Sequence, residues 1–538
     1  MTDPTTPDPT GRLGRRPLLV GGTAMLAALG LAPPASAAVG TASTADAVHG
    51  RSSSRLHRWA RDTWHSLDAM TDPATGLPAD NIPESLAGAE RSGYTSPTNI
   101  GGYLWSTIVA RDLGIISAAE CTARLTRTLT TLDTMEHHAP SGMYFNWYDP
   151  ATGDTLHTWP DDGSHVEPFV SSVDSGWLGA ALLVVKNAGG ATAAPLAAAL
   201  FDRMRWDAFY DSGDIKGHPV NRLPGLIHGG FYPYADGRPG ATFLGTHIGG
   251  GDVWLTTHHY DTIVSETRIT SYLGILRGQI PGNHYFAPWR TFPASCDWSW
   301  HEMQPVGETH TYLGVEVYEG AYTYRGMHIV PGWGGSMFEE LMPAVFVPEE
   351  VWAPRSWGVN HPLHVRAERE HGLEDAEYGY WGFSPSSNPD GGYREYGVDA
   401  LGMNPEGYFS DQENTNLDLG FGDCRPATNP DPDYKTGVVT PHASFLAMMF
   451  ERGEATANLI RIQQHLGAYG AGGFFDAVAI DGTIARRYLS LDQAMVMGAL
   501  GNVLGKGLLR KAFSTPDVEK ALRPVIGIEE FGAGVVGD

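Results

Sequence analysis

From about Arg55 to the C-terminus, apolar residues recur at helical spacing in one segment after another, separated by long stretches dense in Gly, Pro, Trp and Tyr. That alternation limits the fold more than any other feature, because apolar residues at i, i+3, i+4 and i+7 require a buried helix face. The pattern is clearest where Thr98, Asn99 and Ile100 lead into Tyr103, Leu104, Thr107, Ile108 and Leu113. It recurs at 175–186, 266–276, 337–345, 444–452 and 491–504. Strand-like alternation is sparse, with 142–147 and 314–318 the best candidates. A mainly α fold is expected, its helices joined by long loops. Long irregular loops in compact domains are usually functional, so those loaded with Trp, Tyr and His are expected around a cleft.

The 538 residues are 42% hydrophobic, enough for a large core, and a single catalytic domain over 55–538 is expected. With 36 Lys and Arg against 61 Asp and Glu, the net charge is -25. That balance excludes nucleic acid as a partner and disfavours acidic polysaccharides, but raises no objection to neutral sugars. The three cysteines, Cys121, Cys296 and Cys424, form no CxxC pair, so stability must come from the core rather than from a disulfide framework. Arg15 and Arg16 precede an apolar run from Leu18 to Leu31, followed by Ala35, Ser36 and Ala37. Residues 1–37 therefore look like a twin-arginine export signal cleaved after Ala37. The mature protein is expected to be secreted and monomeric, without stable membrane insertion, and 38–54 to be a flexible lead-in rich in Ala, Ser, Thr and Gly.

Four segments hold acids in a placed setting. In 333–343, two glycines and Ser336 precede an apolar helix start with Glu339 and Glu340 in its first turn, where an acid also complements the helix dipole. Residues 380–397 gather Trp381, Asp390, Tyr393 and Glu395 among turn-formers, as a sugar-binding loop would, although Asp390 before Gly391 is also an ordinary turn. Asp174 stands near the start of an apolar helix, where capping explains it equally well. Glu266 and Arg268 lie in or beside another such helix, where an ion pair is the alternative.

No HExxH, Walker loop, GxSxG elbow or GxGxxG after a strand is present, so neither a metal nor any other cofactor is expected. What remains is a set of carboxylates among aromatics. This is the chemistry of glycosidic cleavage, in which one protonated acid donates to the leaving oxygen and a carboxylate activates water or attacks directly.

At these motifs the sequence resembles the glycoamylase-like proteins, which include family 144 β-1,2-glucan hydrolases and the C-terminal domains of cyclic β-1,2-glucan synthases. The resemblance runs from Tyr94 to Phe513 through 95–114, 172–178, 266–276, 334–343, 378–397, 439–446, 470–477 and 489–495. It implies an (α/α)6 barrel with the active site at the mouth of the inner helices, acting on an oligo- or polysaccharide whose best precedent is β-1,2-glucan. It further implies Glu339 as general acid and Asp390 as the carboxylate that activates water, with Asp174, Glu266, Trp381, Tyr393, Glu395 and Asp492 lining subsites. The synthase-associated domains carry a glutamate within the segment corresponding to 381–386; this chain has none, which argues against a retaining, transglycosylating mechanism. Exo action, another linkage, a polysaccharide lyase and a non-catalytic glycan-binding protein stay open as alternatives.

Overall fold

A computed structural model of the chain describes residues 44–214, 222–233, 242–246, 252–256, 258–291, 303–403, 434 and 437–537. The expected export signal lies outside them. Residues 51–538 form one compact unit. The helices are α1 (Thr44–Met70), α2 (Pro97–Asp112), α3 (Ala118–Thr134), α4 (Ser172–Ala188), α5 (Gly190–Arg203), α6 (Arg268–Leu276) and α7 (Met337–Leu341). They continue with α8 (Glu349–Trp352), α9 (Trp357–Glu370), α10 (Pro441–Ala447), α11 (Arg452–Arg461), α12 (Ser490–Leu504), α13 (Leu508–Phe513) and α14 (Pro516–Ile526). Helix α1 begins inside the stretch expected to be a flexible lead-in, so 44–54 is helical. The apolar face that starts at Leu56 and Trp59 buries the following turns, and a helix once nucleated extends at little further cost.

Two kinds of helix are present. In α2, every residue from Pro97 to Ala110 is buried, and α6, α10 and α12 are likewise buried almost all round. By contrast α3 buries Cys121, Leu125, Thr128, Leu129 and Leu132, and α14 buries Val518, Leu522, Val525 and Ile526, each a single stripe. A helix apolar all round belongs inside a large core, and a striped one outside it. The packing agrees: α2 lies on α4, α4 on α6, α7 on α10, α10 on α12, and α12 returns to α2, while α3, α5, α14, α9 and α11 pack against this set. Between α6 and α7 the link is polar, through Arg268, which donates to the carbonyls of Glu339 and Glu340.

The expected helix at 337–345 is divided after Leu341 into α7 and a 3-10 turn that begins at Pro343, whose ring cannot continue the α-helix. That at 444–452 is also divided, between the end of α10 and the start of α11. The strands are two to five residues long, too short for alternation to register in the sequence. The candidates at 142–147 and 314–318 yield Met143–Tyr144 and Val315–Tyr318. The widest sheet has four antiparallel strands, ordered Val170–Ser171, Gly230–Tyr232, Asp252–Thr256 and Thr242–Thr246. A smaller pairing, Asn81–Pro83 with Arg487–Leu489, fastens the loop before α2 to the start of α12.

Candidate functional site

The N-terminal ends of α2, α4, α7 and α12, with Glu266 just ahead of α6, line one cleft. Ser96, Ser171 and Ser336 cap α2, α4 and α7, each accepting from the backbone N–H three residues on: Asn99 at 3.2 Å, Asp174 at 3.2 Å and Glu339 at 3.5 Å. In an ordinary capping box the acid at this third position turns back to the cap's own N–H. Here both acids are diverted into the cleft. Asp174 Oδ1 accepts from Thr98 Oγ1 at 2.6 Å, and Glu339 Oε2 accepts from the N–H of Glu266 at 2.6 Å. Asp492 holds the corresponding place on α12. The turn before α7 needs Gly335: its φ is 59°, and a Cβ there would stand 2.1 Å from the carbonyl oxygen of Val398.

The cleft encloses about 510 Å³, within the usual range for a ligand site. Asp80, Asp174, Glu266, Glu339, Glu395 and Asp492 supply its acids, and Tyr94, Trp147, Trp159 and Tyr393 its aromatic faces. Among the described residues lining it there is no Lys, Arg or His.

Burial raises the Glu339 carboxyl to about 7, against the stabilising N–H of Glu266. The Glu266 carboxyl is also raised, well above its ordinary value, by burial and then by the charge of Glu339; the donor that opposes this is Trp177 Nε1, at 2.5 Å from Oε2. Burial thus raises both carboxyls, and the charge of Glu339 further disfavours ionisation of Glu266. The neighbouring Glu340 turns the other way, into the core. There His361 Nδ1 bonds it at 2.6 Å and Asn360 Nδ2 at 3.1 Å, and although burial pushes its carboxyl up, His361 draws it below its usual value.

Burial also raises Asp80 and Asp174, opposed in Asp80 by the amides of Asn99 and Asn81 and in Asp174 by the hydroxyl of Thr98. Asn146, with its amide nitrogen turned to the carboxylate, donates to Asp174 Oδ2 at 2.6 Å. Asp492 is raised well above its ordinary value by burial and then by Asp476. His442, Asp476 and Asp492 each bring one ligand-capable atom within 4.8 Å of the others, a grouping that sequence spacing did not foretell.

Two expected site residues are placed elsewhere. Asp390 is exposed at the tip of the hairpin pairing Ser386–Ser387 with Tyr393–Arg394, where its N–H donates to Asn388 Oδ1 at 2.8 Å. Gly391 and Gly392, at φ 112° and 81°, complete an Asp-Gly turn, so the ordinary turn prevails over the catalytic assignment. Trp381 is wholly buried, its backbone tied to Asn458 and Ser444; its bulk serves the core rather than a subsite. Sequence reasoning passed over Asp80, Tyr94, Trp147 and Trp159. The signal for Asp80 was weak, an Asp-Asn step ahead of the Ser96 cap.

The Glycoamylase family model, described as "Putative glucoamylase", matches residues 301–516, and a second model, DUF3131, described as a protein of unknown function, matches 58–222. Over 301–516 the chain therefore resembles the glycoamylase-like family. Its fold is that of two solved endo-β-1,2-glucanases. The enzyme from Chitinophaga pinensis, in complex with sophorotriose and glucose, is 15% identical with a TM-score of 0.57 over 88% of this chain and 98% of that one. The enzyme from Talaromyces funiculosus, in complex with sophorose, is 14% identical with a TM-score of 0.59 over 90% of each chain. Among curated proteins, the chain is 24% identical to the cyclic β-(1,2)-glucan synthase NdvB of Rhizobium meliloti (strain 1021), over 87% of its own length. It spans 18% of the length of that synthase.

Proposed function

We propose that the protein is a secreted glycoside hydrolase of (α/α)6-barrel architecture that cleaves a neutral glucan, with β-1,2-glucan the first substrate to try. The observation that carries this reading is the Glu266–Glu339 pair, joined by a 2.6 Å hydrogen bond at the wall of an aromatic-lined cleft, where burial raises both carboxyls. A general acid must be protonated at the working pH and face the leaving oxygen, and a raised carboxyl in the cleft wall suits that role. Glu266 is the better donor: Glu339 accepts a backbone N–H that favours its charged form, and the burial of Glu266 is opposed only by the indole of Trp177.

The closed circuit α2, α4, α6, α7, α10, α12 supports the barrel, and α6 and α12 stand three places apart in it. The carboxylate that activates water is assigned to the wall opposite Glu266, where Ser490 N–H donates to the Asp80 carbonyl at 2.7 Å and so holds Asp80 beside Asp492. Attack from the far face of the sugar inverts the anomeric centre. The lack of a cationic lining among the described residues favours a neutral glycan over the uronates that a lyase would need to neutralise.

The test is to incubate the protein from Ala38 onward with a panel of neutral glucans that includes linear β-1,2-glucan, measuring new reducing ends and their anomeric form. Cleavage of β-1,2-glucan with inversion is expected. Cleavage of another glucan would overturn the linkage, and no cleavage of any would overturn the hydrolase.

A further inference from the structure

At one edge of the cleft, Tyr94, Trp147 and Trp159 pack on one another rather than into the core. The ring centroids of Tyr94 and Trp159 are 4.5 Å apart at an interplanar angle of 36°, and Trp147 stands edge-on to both, at 5.7 Å and 83° and at 5.3 Å and 84°. All three line the cleft and remain partly exposed. Trp159 is delivered by a small loop closed by the bridge Thr158 to His165, with Trp159 N–H donating to Ser164 at 2.7 Å and Gly163 N–H to Trp159 at 2.9 Å. From His157 to His165 every other side chain is exposed, including Asp161 and Asp162. The loop buries almost nothing of its own, so what its order presents to the rest of the molecule is the indole of Trp159.

We infer that Tyr94, Trp147 and Trp159 form a distal sugar subsite that holds one neutral hexose unit of a longer chain, away from the bond being cut. The apolar C–H face of a hexose stacks on an aromatic plane, and rings already locked against each other lose little freedom when it docks. Asp161 and Asp162 at the loop's tip repel an anionic sugar and so disfavour uronates as the occupant. The inference rests on the glycan-cleaving reading of the cleft and adds to it a preference for chain length.

The experiment compares wild type with Trp159→Ala and Trp159→Phe on a ladder of β-1,2-linked oligosaccharides, from the shortest cleaved upward. In wild type, kcat/KM rises with length until the distal subsite is filled. In Trp159→Ala that rise shrinks about three- to ten-fold, the worth of one aromatic stacking contact; Trp159→Phe keeps most of the rise. The same length dependence in Trp159→Ala as in wild type overturns the subsite. If no β-1,2-oligosaccharide is cleaved, the proposed linkage fails separately, and tryptophan fluorescence is then titrated with neutral oligosaccharides of the glucan panel. A saturable change present in wild type and absent in Trp159→Ala upholds the subsite, and its absence from wild type overturns it.

Discussion

The backbone N–H of Glu266 donates to Glu339 Oε2 at 2.6 Å, so one glutamate's main chain holds the other's carboxylate in place while the two side chains contend for a proton. This relationship joins the entry to α6 with the first turn of α7, segments 73 residues apart in sequence.

Replacing either acid with its amide should be severe. Glu266→Gln is expected to lower kcat by about 10²–10⁴-fold, the usual contribution of general acid catalysis. Glu339→Gln removes the charge that helps raise Glu266, so the residual activity should lose its alkaline limb at lower pH than in wild type. A pH–rate profile of each variant checks this, and an unmoved limb in Glu339→Gln would dissociate the pair.

Stability should move opposite to activity. The folded Glu339 carboxyl titrates at about 7 against an ordinary value of 4.5, so the folded state resists losing this proton. Stability from this group is therefore intact below 4.5, declines as pH rises between 4.5 and 7, and stays lowered above. Glu339→Gln should show a higher Tm than wild type at pH well above 7 and little difference below 4.5, as thermal melts at several pH values would reveal.

Arg268 should act through the pair. Its guanidinium, buried against Trp357 at 4.1 Å, donates to the carbonyls of Ser265 and Glu339 at 2.9 Å each and Glu340 at 2.7 Å, and its Nε donates to Glu349 Oε1 at 3.0 Å. It thus grips the backbone on both sides of the Glu266–Glu339 contact. Arg268→Lys keeps the charge but loses the fork, and is expected to reduce kcat at least about ten-fold with a smaller change in KM. Arg268→Met strips the buried Glu349 of its guanidinium partner, leaving it only Tyr272 and His361, and should destabilise the fold by about 3–5 kcal/mol in denaturant titration.

The two displaced expectations make a matched control. Asp390→Asn, at an exposed turn, should change kcat/KM less than about two-fold and stability by no more than about 0.5 kcal/mol. Trp381→Ala should lower stability by about 3–5 kcal/mol, while kcat per folded molecule is retained.

The sequence carried the features that depend on local periodicity and local chemistry. The all-round apolar character of 491–504 reads directly as a buried helix, and the Ser-x-x-acid pattern before α4 and α7 places Asp174 and Glu339 in a first turn. Acids at such positions look alike whether they cap a helix or do chemistry, because both roles use the same residue at the same offset. The small sheets were poorly legible, since their strands are shorter than one full cycle of alternation.

By itself, then, the sequence determined that the chain is mainly helical, that several of its acids sit at helix starts, and that its net charge disfavours a polyanionic ligand, because propensity, capping and net charge are properties of neighbouring residues or of the whole composition. Tertiary structure alone decided that Glu340 turns to His361 while Glu339 faces the cleft, that Asp390 stays at a hairpin tip, and that Asp80 and Asp492 share a wall. Those outcomes depend on which elements pack together and how far each carboxyl is drawn from water. Burial of this kind is set by residues hundreds of positions away, and no local pattern encodes it.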